Sequence, residues 1–590
     1  MCGINGILSR TAAIDTNRFD TMRDTLTHRG PDGAGTWLHE NQQIAFGHRR
    51  LAFMDLSEQG AQPMKSVDEQ IIITVNGEIY NYPELKQQLE QAGHCFQSTS
   101  DSEVIIHAWK EWKLDMLEKL NGMFAFALWD NQTQELLLAR DRFGIKPLYY
   151  HHSENQIAFA SEIKAIISYF PELKTIRKAS IADFFTYRYI PSPHTIYQNI
   201  NKLEPGNFLL IEKQGKTKFG QYYQKPKETL NLSQNDITEQ LHTLLKQSVK
   251  MHTQSDVPIG SFLSGGYDSS AIVQMLRENN YTANTFSIGF KNWQNSEDQY
   301  AKLVSDYFNM PHFSHKAGNA DLDLLPQLLL HYDEPIADIS IIPTFLVSKL
   351  AVQHNKAVLS GEGADELFAG YTWHYENLQA KNPFNRIAQK FKKENSPTPF
   401  SVEAYSRAMA MGHLRNPELQ NLFTDEFAKE IPEDSDWFYQ QEAAQDTGLN
   451  RFRNMDMRCF MGELVLTKID RASMANSLEV RVPFLENQLA DFMLSLPEKR
   501  LYKKGYKKFQ LYEIIREHMP QEILQRNKQG FVGPDRYYQN ANWYESQINN
   551  AKSCNDGIIQ KSELQSYLSR QEYWKLWKFT IFETWYKTWI

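Results

Sequence analysis

The chain has 590 residues, 63 Lys+Arg against 71 Asp+Glu and a net charge of −8, with 41% apolar and 13% aromatic residues. At roughly 150 residues per domain this is several domain-equivalents, or two large domains, and it is too apolar for a disordered chain. The acidic balance offers no broad attraction to nucleic-acid phosphates or anionic lipid, and no run approaches the ~18 apolar residues of a membrane span.

The start, MCGINGILSR, lacks the basic region of a secretory signal. Cys2, Cys95, Cys459 and Cys554 show neither CxxC nor metal-type spacing, so a disulfide framework and a zinc site are set aside and a reducing, cytoplasmic setting is expected. Outside Cys2 the cysteines read as buried small hydrophobes.

From the first residue to about 210, short Val-, Ile-, Phe- and Tyr-rich runs (IIITVNGEIYN, MFAFALWD, ELLLARD) alternate with turns, which predicts a sheet-rich α+β domain. Residues 211–235 turn to Lys, Gln, Asn and Gly and read as a linker. From 236 to 590 strand, Gly-rich turn and helix recur (PIGSFLSGG, SSAIVQMLREN, TFSIGF, AVLSGEG), the pattern of a parallel α/β sheet. Residues 376–450 are polar and read as surface helices, and the carboxyl end puts Trp574, Trp577, Ile581 and Trp585 at helical spacing, as a core or homodimer-packing helix requires. Stacking of a sugar on exposed Trp is the competing reading of that helix.

Loss of Met1 would make Cys2 the first residue, with an α-amine of pKa near 7.7–8.0 placed to act as base for its own thiol. Around it stand HRGPDG (28–33), HRRL (48–51), GAQP (60–63), VNGEIYN (75–81), TSDSEVI (99–105) and ARDRFGIKPLYY (139–150). This ordered set resembles the class II glutamine amidotransferases, which implies an Ntn-hydrolase-type layered αββα domain. For glutamine, the Asn76 side chain and the Gly77 N–H would stabilise the oxyanion that thiolate attack creates. Arg50 would grip the substrate carboxylate and Asp101 its ammonium; Glu78, by the resemblance, belongs to the same pocket. His28 and His48 offer a Cys–His dyad, which the amine makes unnecessary, and HRGPD reads as a structural turn over the site.

In the second domain VPIGSFLSGGYDSS (257–270) places Ser264, Gly265 and Gly266 between a strand and a helix that opens at Asp268 and Ser269. Backbone N–H groups at such a turn cradle anions. The string lacks the Walker pattern and resembles the PP-loop of ATP pyrophosphatases, which implies an adenine nucleotide alpha hydrolase-like sheet binding ATP through Leu263, Ser264, Gly265, Gly266, Asp268, Ser269 and Gly361. Ser287, Ile288 and Gly289 lie where adenine would sit. In AVLSGEGADELFAGY (357–371), Asp365 joins Asp268 as an oxygen ligand for Mg2+ shared with pyrophosphate, and Glu362 could take a proton from attacking ammonia.

MGELVLTKIDRASMANSLEVRVPFL (461–485) and YKKGYKKFQLYEIIREHMP (502–520) extend the resemblance to glutamine-hydrolysing asparagine synthetases along nearly the whole chain. It implies a lysine that steadies phosphate charge, assigned by register to Lys508, with Lys507 adjacent. Ammonium has no lone pair, so the resemblance also implies a largely apolar tunnel for ammonia. Two departures, Tyr267 in the PP-loop and the absence of arginine before the proline in DEPIADISIIPTFLVS (333–348), bear on the acceptor. Aspartate is the favoured carboxylate, a uronic acid of surface polysaccharide the first alternative, and a catalytically silent regulatory homologue the second.

Overall fold

The computed structural model describes all residues except 1, 227–228, 292, 294–295, 381–396, 410, 413, 445, 527–532 and 536–537. The amino-terminal part contains two six-stranded antiparallel sheets. In the first, Gly3–Ser9 lies between Ile44–Arg50 and Gln156–Ala160. In the second, Ile71–Ile79 pairs with Gly122–Asp130 along nine residues.

Alternation along these strands sends one face of each sheet into a shared core of Ile4, Phe46, Ile72, Trp129, Leu138 and Phe159. The outer faces are covered by helices: Tyr82–Gln91 and Glu103–Trp112 on one sheet, Thr16–Asp24 and Ile163–Tyr169 on the other. The domain is therefore the expected layered αββα α+β fold.

The expected linker, 211–235, starts inside this domain. Thr217–Gln221 is a strand paired with Asn207–Ile211, and the chain crosses only after it. At the far end of the interval, Ser233 and Asp236 form a capping box that starts the helix Gln234–His252.

The second part is built on a five-stranded sheet ordered His312–Ala317, Thr285–Phe290, Ile259–Phe262, Ala357–Leu359, Glu479–Arg481, parallel throughout. Parallel order aligns the carboxyl ends of the strands, so the turns after Phe262, Phe290 and Leu359 open on one edge. This is the expected α/β domain.

The polar stretch 376–450 is not merely a surface layer. Tyr405, Leu419 and Phe438 from its helices are buried in the core, while 381–396 lies outside the described residues. In the terminal helix Tyr573–Trp589, Trp577, Ile581 and Trp585 are fully buried and Trp585 Nε1 donates to Asp333 O at 3.0 Å. They are core residues, and Trp574 is half-buried beside them. Cys459 is buried as expected; Cys95 is exposed and Cys554 half-buried, against expectation.

Candidate functional site

Two separate cavities hold the chemistry. The smaller, about 30 Å³, is lined by Cys2, His48, Arg50, Gly77, Glu78 and Asp101 among others. Leu51, Phe53, Met54, Gly60 and Gln62 form part of its wall.

Cys2 directly precedes the strand Gly3–Ser9 and is half-buried, and burial raises its thiol pKa. Its backbone N donates to Asn76 Oδ1 at 3.0 Å, while Asn76 Nδ2 is buried without a partner among the described residues. An amide with one end anchoring Cys2 and the other an idle donor is what an oxyanion site needs. Gly77 has φ +151°, and a Cβ there would stand 2.0 Å from Met123 O, so no side chain fits.

Arg50 meets no carboxylate; its guanidinium binds the carbonyls of Ser57 at 3.0 Å, Met54 and Asp55. Asp101 Oδ2 accepts from Ile79 N at 2.6 Å, and burial raises its pKa to about 6. Burial, with Asp101 and Glu479 nearby, also raises Glu78 well above the carboxylate range, against the opposing charge of Arg481. The dyad histidines are engaged elsewhere. His28 Nε2 lies 3.1 Å from Glu162 and His48 Nε2 3.2 Å from Val75 O, and burial lowers both, His48 to about 3.

Arg481 and Glu479 belong to the second domain, and their place here was not read from the sequence. Arg481 lies 3.2 Å from Glu78 and 2.6 Å from Glu479. Burial opposes ionisation of Glu479, yet the chain's amino-terminal charge first, then Arg481 and Lys146, hold it at about 2. HRGPD is the turn it was expected to be, with a further role: Arg29 Nε donates to Cys2 O at 3.1 Å, and its Nη1 pairs with Asp470 at 2.8 Å and Glu162 at 2.9 Å.

The larger cavity, about 900 Å³, lies at the carboxyl edge of the parallel sheet. Its floor is the turn Leu263–Gly266 and the first residues of the helix Tyr267–Glu278. Gly265 is left-handed at φ +71°, with Tyr300 too close for any Cβ. Ser264 Oγ and Ser269 Oγ lie 3.2 Å apart and brace the turn. The second turn approaches so closely that a Cβ on Gly361 would lie 2.9 Å from Asp268 Cβ.

There the Lys508 ammonium joins Asp268 to Asp365, 2.9 Å from the latter, and the two carboxylates together raise its pKa despite burial. Lys507 is exposed at the cavity rim. A Cβ on Gly370 would stand 2.2 Å from both Lys508 Cε and Asp365 Oδ1, so glycine is what lets this lysine pass. Glu362 accepts from Ser360 Oγ and lines the cavity. Ser287 and Ile288 line it too, the Ser287 hydroxyl 3.1 Å from His312 Nε2, while Gly289 packs against Asp298 and Ser296.

Residues that sequence reasoning passed over complete this site. Arg526 holds Ser264 O at 3.0 Å and Glu297 at 2.8 Å, and burial raises Glu297 to about 7. Glu366 accepts from Tyr371 OH at 2.6 Å, and burial raises it to about 8.

Residues 240–587 match the asparagine synthase family. The chain belongs to that family. Residues 1–223 match the glutamine amidotransferase domain family. Glutamine-hydrolysing asparagine synthetase 1 of Bacillus subtilis is 33% identical over 97% of this chain and 92% of its own. A putative glutamine-hydrolysing asparagine synthetase 2 of Methanocaldococcus jannaschii is 37% identical over 63% of this chain and 76% of its own. This asparagine synthase family member is an enzyme of the glutamine-dependent, ATP-using ligase type.

Its two cavities share no lining residue. Charged groups, Arg29, Glu162, Asp470 and Arg471, pack between the two domains behind Cys2.

Proposed function

We propose that the protein hydrolyses glutamine at Cys2 and uses ATP to convert a carboxylate, aspartate first, to its carboxamide through an acyl-adenylate. After removal of Met1 the Cys2 amine takes the thiol proton, and the thiolate attacks the glutamine amide. Asn76 Nδ2 and the Gly77 N–H stabilise the oxyanion, Asp101 with Glu78 receives the substrate ammonium, and Arg50, released from its loop carbonyls, receives the carboxylate. Ammonia leaves, and water hydrolyses the thioester to glutamate.

In the large cavity the acceptor carboxylate attacks the ATP α-phosphorus and pyrophosphate departs. The turn from Leu263 to Gly266 with Ser269 and Gly361 holds the phosphates, Ser287 and Ile288 flank the base, and Lys508 offsets the negative charge that grows on the oxygens. Ammonia then attacks the acyl-adenylate, Glu362 takes its surplus proton, and AMP leaves. Asp268 and Asp365 both reach one ammonium, so their oxygens lie near enough to share a cation. They would hold Mg2+, which when bound supplies charge neutralisation for the pyrophosphate.

The observation that carries this reading is the lysine held between two aspartates where two glycine turns meet. A larger acceptor such as a uronic acid would find an aromatic stretch of wall in the same cavity, where Tyr371 stacks on Trp373 and meets Phe460 edge-on.

The test is to supply ATP, Mg2+ and glutamine with a panel of carboxylic acids and record pyrophosphate release, alongside an intact mass for loss of Met1. A response to aspartate alone removes the uronic-acid alternative. Retained Met1 with no glutamate release and no pyrophosphate would leave the silent homologue as the surviving reading.

A further inference from the structure

Two histidines that line neither cavity meet beside the helices covering one sheet of the amino-terminal domain. Gly93 ends the helix Tyr82–Gln91 in left-handed backbone, φ +97°, and the His94 N–H closes on Leu89 O at 3.0 Å, which turns the chain back toward the helix Glu103–Trp112. His107 stands on that second helix, one turn after Glu103. The Nδ1 atoms of His94 and His107 lie 3.3 Å apart, with the rings inclined at 65°. Their other nitrogens both face carboxylates: His94 Nε2 is 3.0 Å from Glu111, and His107 Nε2 is 3.4 Å from Glu103.

A carboxylate only accepts, and a neutral imidazole carries one N–H and one bare nitrogen. Burial works against the charge of Glu103, but hydrogen bonds from His107, Ser98 and Gln97 hold its carboxyl below the ordinary value. Each ring therefore spends its proton on a carboxylate, which leaves two bare Nδ1 lone pairs facing one another. The series Glu111, His94, His107, Glu103 has three contacts, and two neutral rings supply protons for two of them. A positive charge has to fill the third, either a further proton or a metal ion. Distance favours the metal. Zinc bound to imidazole at about 2.0–2.1 Å with tetrahedral angles sets two nitrogens about 3.3–3.4 Å apart, whereas a good hydrogen bond spans about 2.7–3.2 Å. Carboxylates behind both rings are also the usual support of metal-binding histidines.

We propose that His94 and His107 form a two-histidine site for a divalent transition-metal ion of the zinc type, which clips the segment after Gly93 to the helix Glu103–Trp112. Imidazole suits zinc and its neighbours, whereas Mg2+ and Ca2+ take oxygen ligands. Among the described residues no third His, Cys, Asp or Glu completes the set, so water fills the remaining positions and the ion exchanges with solvent. Cysteine spacing gave no sign of this site, because the fold makes it from histidines 13 positions apart. The stretch between them includes Asp101, which lines the small cavity, so the clip bears on the wall of that cavity.

The test is calorimetric titration of the full chain with ZnCl2, after EDTA treatment and removal of the chelator, with excess Mg2+ to occupy the carboxylates of the large cavity. Zn2+ also has the Cys2 thiol to bind, so the readout is the difference between the parent and three variants. His94→Gln and His107→Gln should each bind one equivalent of Zn2+ fewer than the parent. Glu111→Gln, at an exposed position, should keep that equivalent and bind it about 10- to 100-fold more weakly. Thermal unfolding in EDTA reports that each variant folds, and added Zn2+ should raise the midpoint of the parent by more than that of either histidine variant. Unchanged Zn2+ stoichiometry in the histidine variants would overturn the proposal and leave the pair holding a proton. A Glu111→Gln affinity equal to that of the parent would overturn it as well.

Discussion

Replacing Asn76 with alanine separates two functions that the structure places on one side chain. Its Oδ1 accepts the Cys2 N–H at 3.0 Å, and its Nδ2 is buried without a hydrogen-bond partner among the described residues. Loss of the first bond costs ~1 kcal/mol of stability and also removes an acceptor from the nitrogen that the proposed reaction uses as base, so it adds to any loss in kcat. Loss of the second matters only when the oxyanion forms, and removal of one such donor costs a factor of about 10² to 10³ in kcat, or ~2.7–4 kcal/mol of barrier. Glutamate release by Asn76→Ala should therefore fall by that factor at saturating glutamine, with KM within about threefold because the ground-state amide is not its partner. Pyrophosphate release driven by ammonium in place of glutamine should persist, since the large cavity shares no lining residue with the small one. A kcat within threefold of the parent, or a raised KM at unchanged kcat, would refute the assignment of Nδ2 to the oxyanion.

Asp101 titrates near 6, so below that pH it is neutral and loses the ammonium of glutamine; kcat/KM for glutamine should decline about tenfold per unit below pH 6, and a flat profile to pH 5 would exclude this carboxylate. Gly370→Ala puts a methyl 2.2 Å from Lys508 Cε and Asp365 Oδ1, so ATP-dependent pyrophosphate release should drop at least about tenfold while glutamate release is retained. Glu366, at about 8 in the fold against an ordinary value near 4.5, binds a proton in the folded state that the unfolded chain gives up. Stability should therefore fall by up to ~1.4 kcal/mol per pH unit between those values and level off above pH 8, and denaturant unfolding of Glu366→Gln should show a flatter slope over that window. Arg29→Met leaves Asp470 buried without its cation, which predicts ~3–5 kcal/mol of lost stability, with part recovered when Asp470→Leu is added.

The two glycine turns, Cys2 and Asn76 were legible because their chemistry is local: a few consecutive residues fix the turn, and the turn aims the groups. Arg50 was legible as a pocket residue and not in its present bonding, because the segment that occupies it is folded over it. The linker was misplaced because Thr217–Gln221 is an edge strand of mixed exposure, with Phe219 56% exposed, and shows no apolar alternation. Arg526 carries no sequence signal at all. A cation in a helical stretch reads as a solvated face until the fold shows what surrounds it, and the partners of Arg526 lie hundreds of positions away.

The same non-locality explains how the two domains are held by contacts far in sequence from the segment that joins them. The helix Leu466–Met474 carries Lys468 into the large cavity and, two residues on, Asp470 to Arg29, whose Nε reaches Cys2 O. The strand Glu479–Arg481 pairs with Ala357–Leu359, the strand that leads into the Glu362 turn, and from its end Arg481 reaches Glu78. Asn121 and Glu486 add a buried bond across 365 positions. Each of these contacts is buried, directional and intolerant of a slip, since a displacement would leave a charge without its partner. The crossing segment therefore need only be long enough. The relative position of the thiol and the two glycine turns is set by the interface, which is what the proposed delivery of ammonia from one to the other requires.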